Sequence, residues 1–346
     1  MEREKGLTYR DAGVDIDAQD EALRRIKDAL VATRTPGVLA DLGAFGGLFA
    51  PDLKGMTAPV LVASADGVGT KLEVAALVGV HDTVGRDLVN HCVNDILVQG
   101  ARPLFFLDYV ATGRLEPAVL AAVVTGVARG CRENGCALLG GETAEMPGFY
   151  GEGRYDVAGF IVGIVDRPRV LDGSRVQVGD VLVGLPSAGL HTNGYSLARK
   201  VVFEVAGLTV GDRIPTLQTT AGEALLAEHR SYLPVLRAAL DMDLVSALAH
   251  ITGGGLTDNL PRILPEGTAA EIRPGSWPVP PLFRWMQETG KIADAEMRRT
   301  FNLGIGMVAV VPEGKLQAFE SHLDGRSEPH WRIGRVLPGD RKVHYA

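Results

Sequence analysis

The chain has few cysteines, no long apolar run and no cluster of basic residues. Its three cysteines, Cys92, Cys131 and Cys136, lack cysteine or histidine partners at zinc-site spacing, so we expect buried thiols in a reducing compartment. No stretch approaches the roughly 18 consecutive apolar residues of a membrane span. The charged residues 1–5 precede no apolar segment. These absences predict a soluble, cytoplasmic chain without a membrane partner.

The charge of the chain argues against nucleic-acid binding, and its length indicates two domains. Lysine and arginine number 35 against 42 aspartate and glutamate residues, a net charge of −7, and no basic run could follow a phosphate backbone. Nucleic acid is therefore not expected as a partner. At 346 residues with 43 glycines, the chain is typical of two-domain α/β folds with many ligand loops. Because prolines and glycines punctuate a polar connection near residue 168, we predict two domains, residues 1–167 and 168–346.

The clearest anion-binding motif lies at residues 60–71. The apolar run Val60–Ala63 is followed by Ser-Ala-Asp-Gly-Val-Gly-Thr-Lys, which ends at Lys71. Glycines let backbone N–H groups approach an anion, and the first turn of a helix carries a partial positive charge. The motif predicts a strand that leads into a phosphate site, although its spacing fits neither a P-loop nor a dinucleotide-binding fingerprint.

Carboxylates near this motif indicate a cation as well. Residues 85–100 read as a helix with an apolar stripe and a polar stripe that contains Asp95. Two further strands end at Asp108 and Glu142. If these strands are neighbours in one sheet, their carboxylates and Asp66 converge beside the helix, and such a group with substrate phosphates suits Mg²⁺. The open alternative is that Asp66 and Asp108 are ordinary turn residues.

Two polar loops in the second half of the chain are typical of ligand-binding segments. The loop at residues 186–196 is rich in glycine and hydroxyl groups and contains His191, whose imidazole titrates near neutral pH. The segment 252–255, Thr-Gly-Gly-Gly, precedes a helix predicted to run through Arg262. Free N–H groups at the start of that helix suit a ribose phosphate. The alternatives are a structural histidine and a tight turn.

These motifs resemble one superfamily of ATP-binding proteins. One such motif is Asp95 followed after four residues by Gly-Ala-Arg-Pro, and another is the motif at 66–71. Both are similar to motifs of a superfamily that contains aminoimidazole ribonucleotide synthetase, formylglycinamide ribonucleotide amidotransferase, selenophosphate synthetase, thiamine-monophosphate kinase and a hydrogenase maturation protein. Stretches at 9–17, 140–148, 155–160, 191–196 and 252–255 resemble, in order, the aminoimidazole ribonucleotide synthetase family. The family usually carries a proline where this chain has Leu190, which leaves the neighbouring His191 in place.

The resemblance implies a fold, a reaction and its cofactors. The fold is an α/β (α+β) synthetase fold of two domains, with the N-terminal sheet forming a barrel-like homodimer interface and the C-terminal domain contributing to the substrate site. The reaction converts formylglycinamidine ribonucleotide and ATP into 5-aminoimidazole ribonucleotide, ADP and phosphate, a step of de novo purine biosynthesis. Because a formamide oxygen is a poor leaving group, it would be phosphorylated before the ring closes. ATP and Mg²⁺ are the cofactors implied, and K⁺ is an open expectation.

Residue assignments follow from the motifs and the resemblance together. We assign catalytic roles to His191, Lys71 and Asp95. We assign ATP to Asp66, Gly67, Gly69, Thr70, Lys71, Asn94, Asp108 and Glu142, with Asp66, Asp95 and Glu142 as metal ligands. We assign the ribonucleotide substrate to His191, Asn193, Ser196, Gly253, Gly254 and Gly255.

Two other functions remain open from the sequence. A small-molecule kinase of the thiamine-monophosphate type would share residues 66–103, but it does not need the motifs at His191 and Gly253 in this form. A non-catalytic nucleotide-binding regulator would be expected to have gaps in the acidic set. The sequence shows no such gap.

Overall fold

A four-stranded sheet organises the first half of the chain. The computed structural model describes residues 6–39 and 45–346. The elements of this half are α1 (Ile16–Val31), β1 (Pro59–Gly67), α2 (Lys71–Val78), α3 (Asp82–Leu97), β2 (Arg102–Thr112), α4 (Pro117–Glu133), β3 (Ala137–Glu145) and β4 (Tyr155–Asp166). The strand order is β1-β4-β2-β3, with β2 and β3 parallel and the other neighbours antiparallel.

One face of this sheet is covered by helices and the other is exposed. Along β1, Val62 is buried whereas Leu61 is 66% exposed, the alternation expected of a strand with one covered face. Helix α3 packs on β1 and β4, and α4 packs on β3. The uncovered face is apolar and includes Phe160 of β4, which is 44% exposed.

Glycines allow α3 and α4 to cross at very short range. A Cβ atom at Gly126 would lie 1.9 Å from the carbonyl oxygen of Asp82, and one at Gly85 would lie 2.1 Å from that of Val123. Because interiors are close-packed, a side chain at either position would force the helices apart. The crossing therefore fixes the position of α3, which carries most of the polar residues described below.

A six-stranded sheet organises the second half of the chain. Its elements are β5 (Val181–Pro186), α5 (Tyr195–Arg199), α6 (Ala221–Leu225), α7 (Leu233–Asp241), β6 (Ala247–His250), α8 (Gly255–Asn259), β7 (Thr268–Ile272), α9 (Pro281–Gly290), α10 (Asp294–Thr300), β8 (Ile305–Val311), α11 (Leu316–Asp324), β9 (Trp331–Pro338) and β10 (Val343–Tyr345). The strand order is β10-β7-β9-β5-β8-β6. Every residue of β8 is buried, so this strand is covered on both faces.

The predicted elements are present, with shifted ends. The helix expected over residues 85–100 is α3, and the division between residues 167 and 168 lies between the two sheets. The helix expected through Arg262 is shorter, because α8 ends at Asn259 and only a 3₁₀ turn, Leu260–Ile263, follows. Pro261 lacks the N–H group that would continue the α-helix. Within residues 6–39 and 45–346, no helix is long and apolar enough to cross a membrane.

Candidate functional site

The polar stripe of α3 faces the second half of the chain. Asn94 accepts the backbone N–H of Tyr232 at 2.9 Å and donates to the carbonyl oxygen of Arg230 at 2.8 Å. Asn90 donates to the carbonyl oxygen of His229 at 2.7 Å. Both ends of the Asn94 amide are therefore engaged in holding the two halves together. Contact between Asn94 and ATP stays a prediction, which this arrangement does not favour.

Lys71 lies inside the protein and does not face a phosphate site. Its Nζ atom is 2.6 Å from Asp87 Oδ2 and donates to the carbonyl oxygens of Ala227 at 2.7 Å and His191 at 3.3 Å. These three partners use the three donors of an ammonium group. Burial lowers the pKa of Lys71, and the Asp87 carboxylate opposes that shift. In this arrangement Lys71 has no donor left for a nucleotide phosphate, and its assignment to ATP stays a prediction.

Asp66 lies near the end of β1 and is held in place by His91 of α3. His91 Nε2 lies 2.7 Å from Asp66 Oδ2, and the other ring nitrogen, Nδ1, lies 2.7 Å from Thr192 Oγ1. Burial disfavours the charged imidazole, but the hydrogen bond with Asp66 and the charge of Asp95 outweigh it and raise the pKa of His91. Burial likewise opposes ionisation of Asp66, and His91 more than compensates, so the pKa of Asp66 is lowered.

Asp95 is held in a similar way, one helical turn along α3. His250 Nδ1 lies 2.9 Å from Asp95 Oδ1, and Ser64 donates its hydroxyl to Asp95 Oδ2 at 3.1 Å. Burial raises the pKa of Asp95, but the hydrogen bond and charge of His250 lower it by more. The side chains of Asp66 and Asp95 remain 42% and 26% exposed. Both carboxylates are thus ionised and accessible, as a cation site requires.

His191 is buried in a strained backbone conformation. Its φ angle is +59°, a left-handed value that is uncommon for residues other than glycine, and its side chain has no exposed surface. Its Nε2 atom accepts the N–H of Ala188 at 3.2 Å, whereas its buried Nδ1 atom has no hydrogen-bond partner in the part of the chain that the structure describes. The ring stacks on His229 with centroids 4.0 Å apart. Burial, together with the nearby charges of His250 and Lys71, lowers the pKa of His191 well below its ordinary value.

Asp108 and Glu142 do not join Asp66. In the sheet, Asp66 pairs with Gly159, Gly159 pairs with Asp108, and Asp108 pairs with Gly141. Strands β1 and β3 are the opposite edges of the four-stranded sheet. Asp66 and Gly141, the residue before Glu142, are therefore three strand spacings apart, roughly 14 Å. The predicted convergence of these carboxylates is therefore wrong. Asp108 instead faces the helix layer, where burial raises its pKa to about 7.

The glycine turn after β1 meets the second half of the chain at the mouth of the junction. Thr70 Oγ1 lies 3.3 Å from Ser196 Oγ, so a residue assigned to ATP is next to one assigned to the substrate. The N–H of Gly67 donates to Asp66 Oδ1 at 2.7 Å, and Gly69 has a φ angle of +67°. Gly69, Thr70 and Ser196, unlike Lys71, are exposed at this contact between the two halves.

Asn193 and the triple glycine form a second polar corner. A Cβ atom at Gly253 would lie 3.3 Å from Asn193 Oδ1, and Gly254 and Gly255 have φ angles of +98° and +58°. Asn193 Nδ2 is buried and has no hydrogen-bond partner among residues 6–39 and 45–346. Because α8 has only five residues, the helix field expected to bind phosphate here is small.

His91, His229 and His250 belong to the site although their sequence context does not predict it. His91 was visible only as one member of the polar stripe of α3. His250 immediately precedes the glycine motif at residues 252–255, which is a signal that could have been used. His229 carried no signal, because it lies between two ordinary charged residues and approaches the cluster only through the fold.

The chain, with its two α/β halves and the carboxylates between them, belongs to the AIR synthase related proteins, because models of both domains of that family match it. The N-terminal domain model of this family matches residues 54–165, and the C-terminal domain model matches residues 177–346. The crystal structure of thiamine-monophosphate kinase from Stenotrophomonas maltophilia has this fold, with a TM-score of 0.68 at 20% identity over 94% of this chain and 95% of that chain.

Relatives with higher sequence identity narrow the class of protein to one enzyme family. Phosphoribosylformylglycinamidine cyclo-ligase of Citrifermentans bemidjiense is 54% identical, over 98% of this chain and 97% of the relative. That of Syntrophotalea carbinolica is 52% identical, over 97% of this chain and 96% of the relative. The chain belongs to the phosphoribosylformylglycinamidine cyclo-ligase family. The resemblance noted from the sequence is therefore confirmed, as is the two-domain α/β fold class.

Proposed function

We propose that the protein converts formylglycinamidine ribonucleotide and ATP into 5-aminoimidazole ribonucleotide, ADP and phosphate. The observation that carries the proposal is the pair of ionised carboxylates, Asp66 and Asp95, beside the glycine turn at the domain junction. Relatives at about half identity over the full chain bear the name of this activity. The activity is a step of de novo purine biosynthesis.

The chemistry needs positioning and charge neutralisation. The formamide oxygen attacks the γ-phosphorus of ATP, ADP leaves, and the neighbouring nitrogen attacks the activated carbon. Phosphate then departs with the former formyl oxygen, and the attacking nitrogen loses a proton. Positioned charges and N–H donors supply most of the catalysis in phosphoryl transfer. The backbone at Gly69, which has open space beside it, and the ionised carboxylates suit that requirement.

Asp66 and Asp95 would hold the divalent cation, for which Mg²⁺ is the expectation. Their open carboxylates fit a cation that also binds phosphate oxygens. When bound, the cation supplies positive charge to the β- and γ-phosphates. Thr70 and the N–H group of Gly69 would contact the same phosphates, whereas the N–H of Gly67 holds the Asp66 carboxylate. A requirement for K⁺ stays a prediction.

His191 and the polar corner would act on the ribonucleotide. The imidazole of His191 is neutral because burial lowers its pKa, so it can accept the proton that the cyclising nitrogen releases. The left-handed backbone and the Lys71 hydrogen bond to the His191 carbonyl hold the ring in place. Asn193, Ser196 and the glycines at 253–255 would bind the ribose and its phosphate.

A second copy of the chain would cover the exposed sheet face of the first domain. Ala65 pairs with Phe160, and Leu61 points to the same side of β1 as Ala65. Leu61 and Phe160 are 66% and 44% exposed, and contiguous apolar patches of this kind mark interaction sites. Two such faces packed together would form the barrel-like homodimer interface that the family resemblance implies.

The deciding experiment follows ADP and product together. The purified chain receives Mg²⁺-ATP with and without formylglycinamidine ribonucleotide, and ADP and the aromatic amine are measured in parallel. Equal amounts of both, formed only with the ribonucleotide, are expected. ADP without amine would refute the cyclo-ligase and favour a kinase, whereas ATP binding without ADP release would favour a regulator.

A further inference from the structure

Asn302 joins the turn before His191 to the segment that leads into β8. Its side chain is buried, at 5% exposure. The Oδ1 atom accepts the hydroxyl of Ser187 at 2.9 Å and the backbone N–H of Gly304 at 2.8 Å. The Nδ2 atom donates to the carbonyl oxygen of Gly189 at 2.8 Å. One buried amide therefore holds the turn at both of its ends.

Both segments that Asn302 joins contain left-handed backbone. Gly189 has a φ angle of +129°, and Leu303 and Gly304 have φ angles of +50° and +95°. Such a conformation is costly for leucine and persists only where the surrounding structure holds it. The backbone N–H of Ser187 donates to the carbonyl oxygen of Gly304 at 2.9 Å. This hydrogen bond and the Asn302 amide together supply that support.

The turn held by Asn302 presents a backbone N–H group to the imidazole of His191. The N–H of Ala188 donates to His191 Nε2 at 3.2 Å. A ring nitrogen accepts a hydrogen bond only through a lone pair, so Nε2 cannot carry a proton while this contact is made. The neutral imidazole therefore carries its proton on the other nitrogen, Nδ1.

The rest of the surroundings of His191 packs against the ring without favouring either nitrogen. The ring stacks on His229 with centroids 4.0 Å apart. A Cβ atom at Gly306 would lie 2.5 Å from His191 Cε1 and 2.1 Å from the hydroxyl oxygen of Tyr232, so only glycine leaves room for the ring there. Among the residues that the structure describes, Nδ1 has no hydrogen-bond partner. Within that part of the chain, the N–H of Ala188 alone distinguishes the two ring nitrogens.

We propose that Asn302 is a positioning residue for His191: it holds the Ala188 N–H against Nε2 and so keeps the proton on Nδ1 and the lone pair on Nε2. The inference rests on the proposed function, in which His191 accepts a proton, and it identifies Nε2 as the accepting atom. The proton of the cyclising nitrogen binds to the Nε2 lone pair, and the ring becomes an imidazolium. At 3.2 Å the Ala188 contact is at the long end of the ordinary range, so the substrate can displace it.

Asn302 acts through the turn rather than by contact with the substrate. Its oxygen already accepts two hydrogen bonds, its amide nitrogen donates one, and the side chain is buried. The residues assigned to ATP belong to the first half of the chain, away from this turn. Loss of the Asn302 amide is therefore expected to lower kcat and to leave the KM for ATP unchanged.

The first test is ¹⁵N nuclear magnetic resonance of the full chain labelled at its histidine rings, without ligands. The signals of His191 are identified by their loss in His191→Asn. The expected wild-type spectrum shows a protonated Nδ1 and an unprotonated Nε2, whereas Asn302→Ala shows a mixture of both tautomers. A protonated Nε2 in the wild type would overturn the proposal without any need for a folded variant. The same single tautomer in Asn302→Ala as in the wild type would remove Asn302 from this role.

The second test compares steady-state rates of ring closure. Asn302→Ala should lower kcat by on the order of 10²-fold, the loss typical of a reacting group displaced by about 1 Å. Asn134→Ala is the matched control, because Asn134 is also 5% exposed and its amide also makes three hydrogen bonds. Its partners are Asn90, Gly130 and Ser231, none of which belongs to the turn. Equal losses of kcat in the two variants would reduce Asn302 to a structural residue.

Failure of this inference and failure of the proposed function give different results. Ring closure by a wild-type protein whose His191 carries its proton on Nε2 would refute the inference and leave the function standing. Absence of ring closure, with the expected tautomer in the wild type and its loss in Asn302→Ala, would refute the function and leave the positioning of His191 by Asn302 standing.

Discussion

The ammonium group of Lys71 lies 2.6 Å from the carboxylate of Asp87, and neither side chain has exposed surface. Lys71 begins α2 and Asp87 belongs to α3, while the other two partners of Lys71 are carbonyl oxygens of the second half of the chain. The pair therefore acts as a link between the two halves. Its lysine supports the loop that carries His191.

Lys71→Met is expected to destabilise the fold more than it affects phosphate binding. The change leaves the Asp87 carboxylate buried and unpaired, which typically costs about 3–5 kcal/mol. Urea unfolding measures the loss. Lys315→Met is the control, since Lys315 and Asp243 form an exposed pair worth at most about 1 kcal/mol. Unchanged stability with lost ATP affinity would restore the phosphate role of Lys71.

Asp95→Asn is expected to lose cation-dependent ATP binding while the protein stays folded. The amide removes the negative charge from the cation site, and ATP affinity in Mg²⁺ should fall by about tenfold or more. Calorimetric titration with ATP, with and without Mg²⁺, measures the effect. Glu142→Gln should leave ATP affinity unchanged, because Glu142 lies on β3, at the edge of the sheet opposite β1 and Asp66. Unfolding of Asp95→Asn would mark a structural role instead.

His191→Asn is expected to reduce turnover far more than ATP binding. The imidazole is the proposed proton acceptor, whereas the carboxylates that hold the cation are on other elements. A loss of about 10²–10⁴-fold in turnover is typical for a general base. Steady-state rates are compared with ATP affinity and with the melting temperature of the same variant. Unchanged turnover would remove His191 from the chemistry.

The buried histidines are expected to make the fold sensitive to mild acid. Burial and neighbouring histidines hold the pKa of His229 well below its ordinary value of 6.5, and burial likewise lowers that of His250. Below that ordinary value the unfolded chain binds protons that the native chain excludes, so stability falls as the pH falls. Each such histidine contributes a slope of about 1.4 kcal/mol per pH unit.

Urea unfolding between about pH 7.5 and about pH 5.5 measures this slope. His229→Gln should reduce this slope by the contribution of about one proton, which is about 1.4 kcal/mol per pH unit. The contribution of His91 to the pH dependence of stability has the opposite sign. Its raised pKa gives stability that is lost as the pH rises through the folded-state pKa. A slope that is the same in His229→Gln and in the wild type would contradict the assignment of His229 as a neutral buried group.

Phe160→Glu is expected to convert the proposed homodimer into monomers. The substitution puts a charge on the exposed apolar sheet face, where a second copy would have to bury it without a partner. Light scattering coupled to gel filtration measures the mass. Val178→Glu is the control, because Val178 is 52% exposed but lies outside that sheet. A wild-type monomer at working concentration would refute the dimer.

The sequence by itself determined the local structure and the family. Val60–Ala63 and the apolar stripe of α3 have the periods of a strand and a helix, and these periods depend only on neighbouring residues. The ordered motifs from Asp66 to Gly255 were sufficient to indicate the family. Asp66 and Asp95 were likewise assigned from motifs, and the structure places both carboxylates beside His91.

Only the tertiary structure decided which polar groups meet. Strand order is set by packing of whole elements, so the separation of Glu142 from Asp66 could not be read from the chain. Burial likewise depends on elements distant in sequence, and it turned Lys71 from an apparent phosphate ligand into an internal link. The four histidines come from four separate segments, and their short contacts exist because α3 is covered by the loops and the strand that carry the other three.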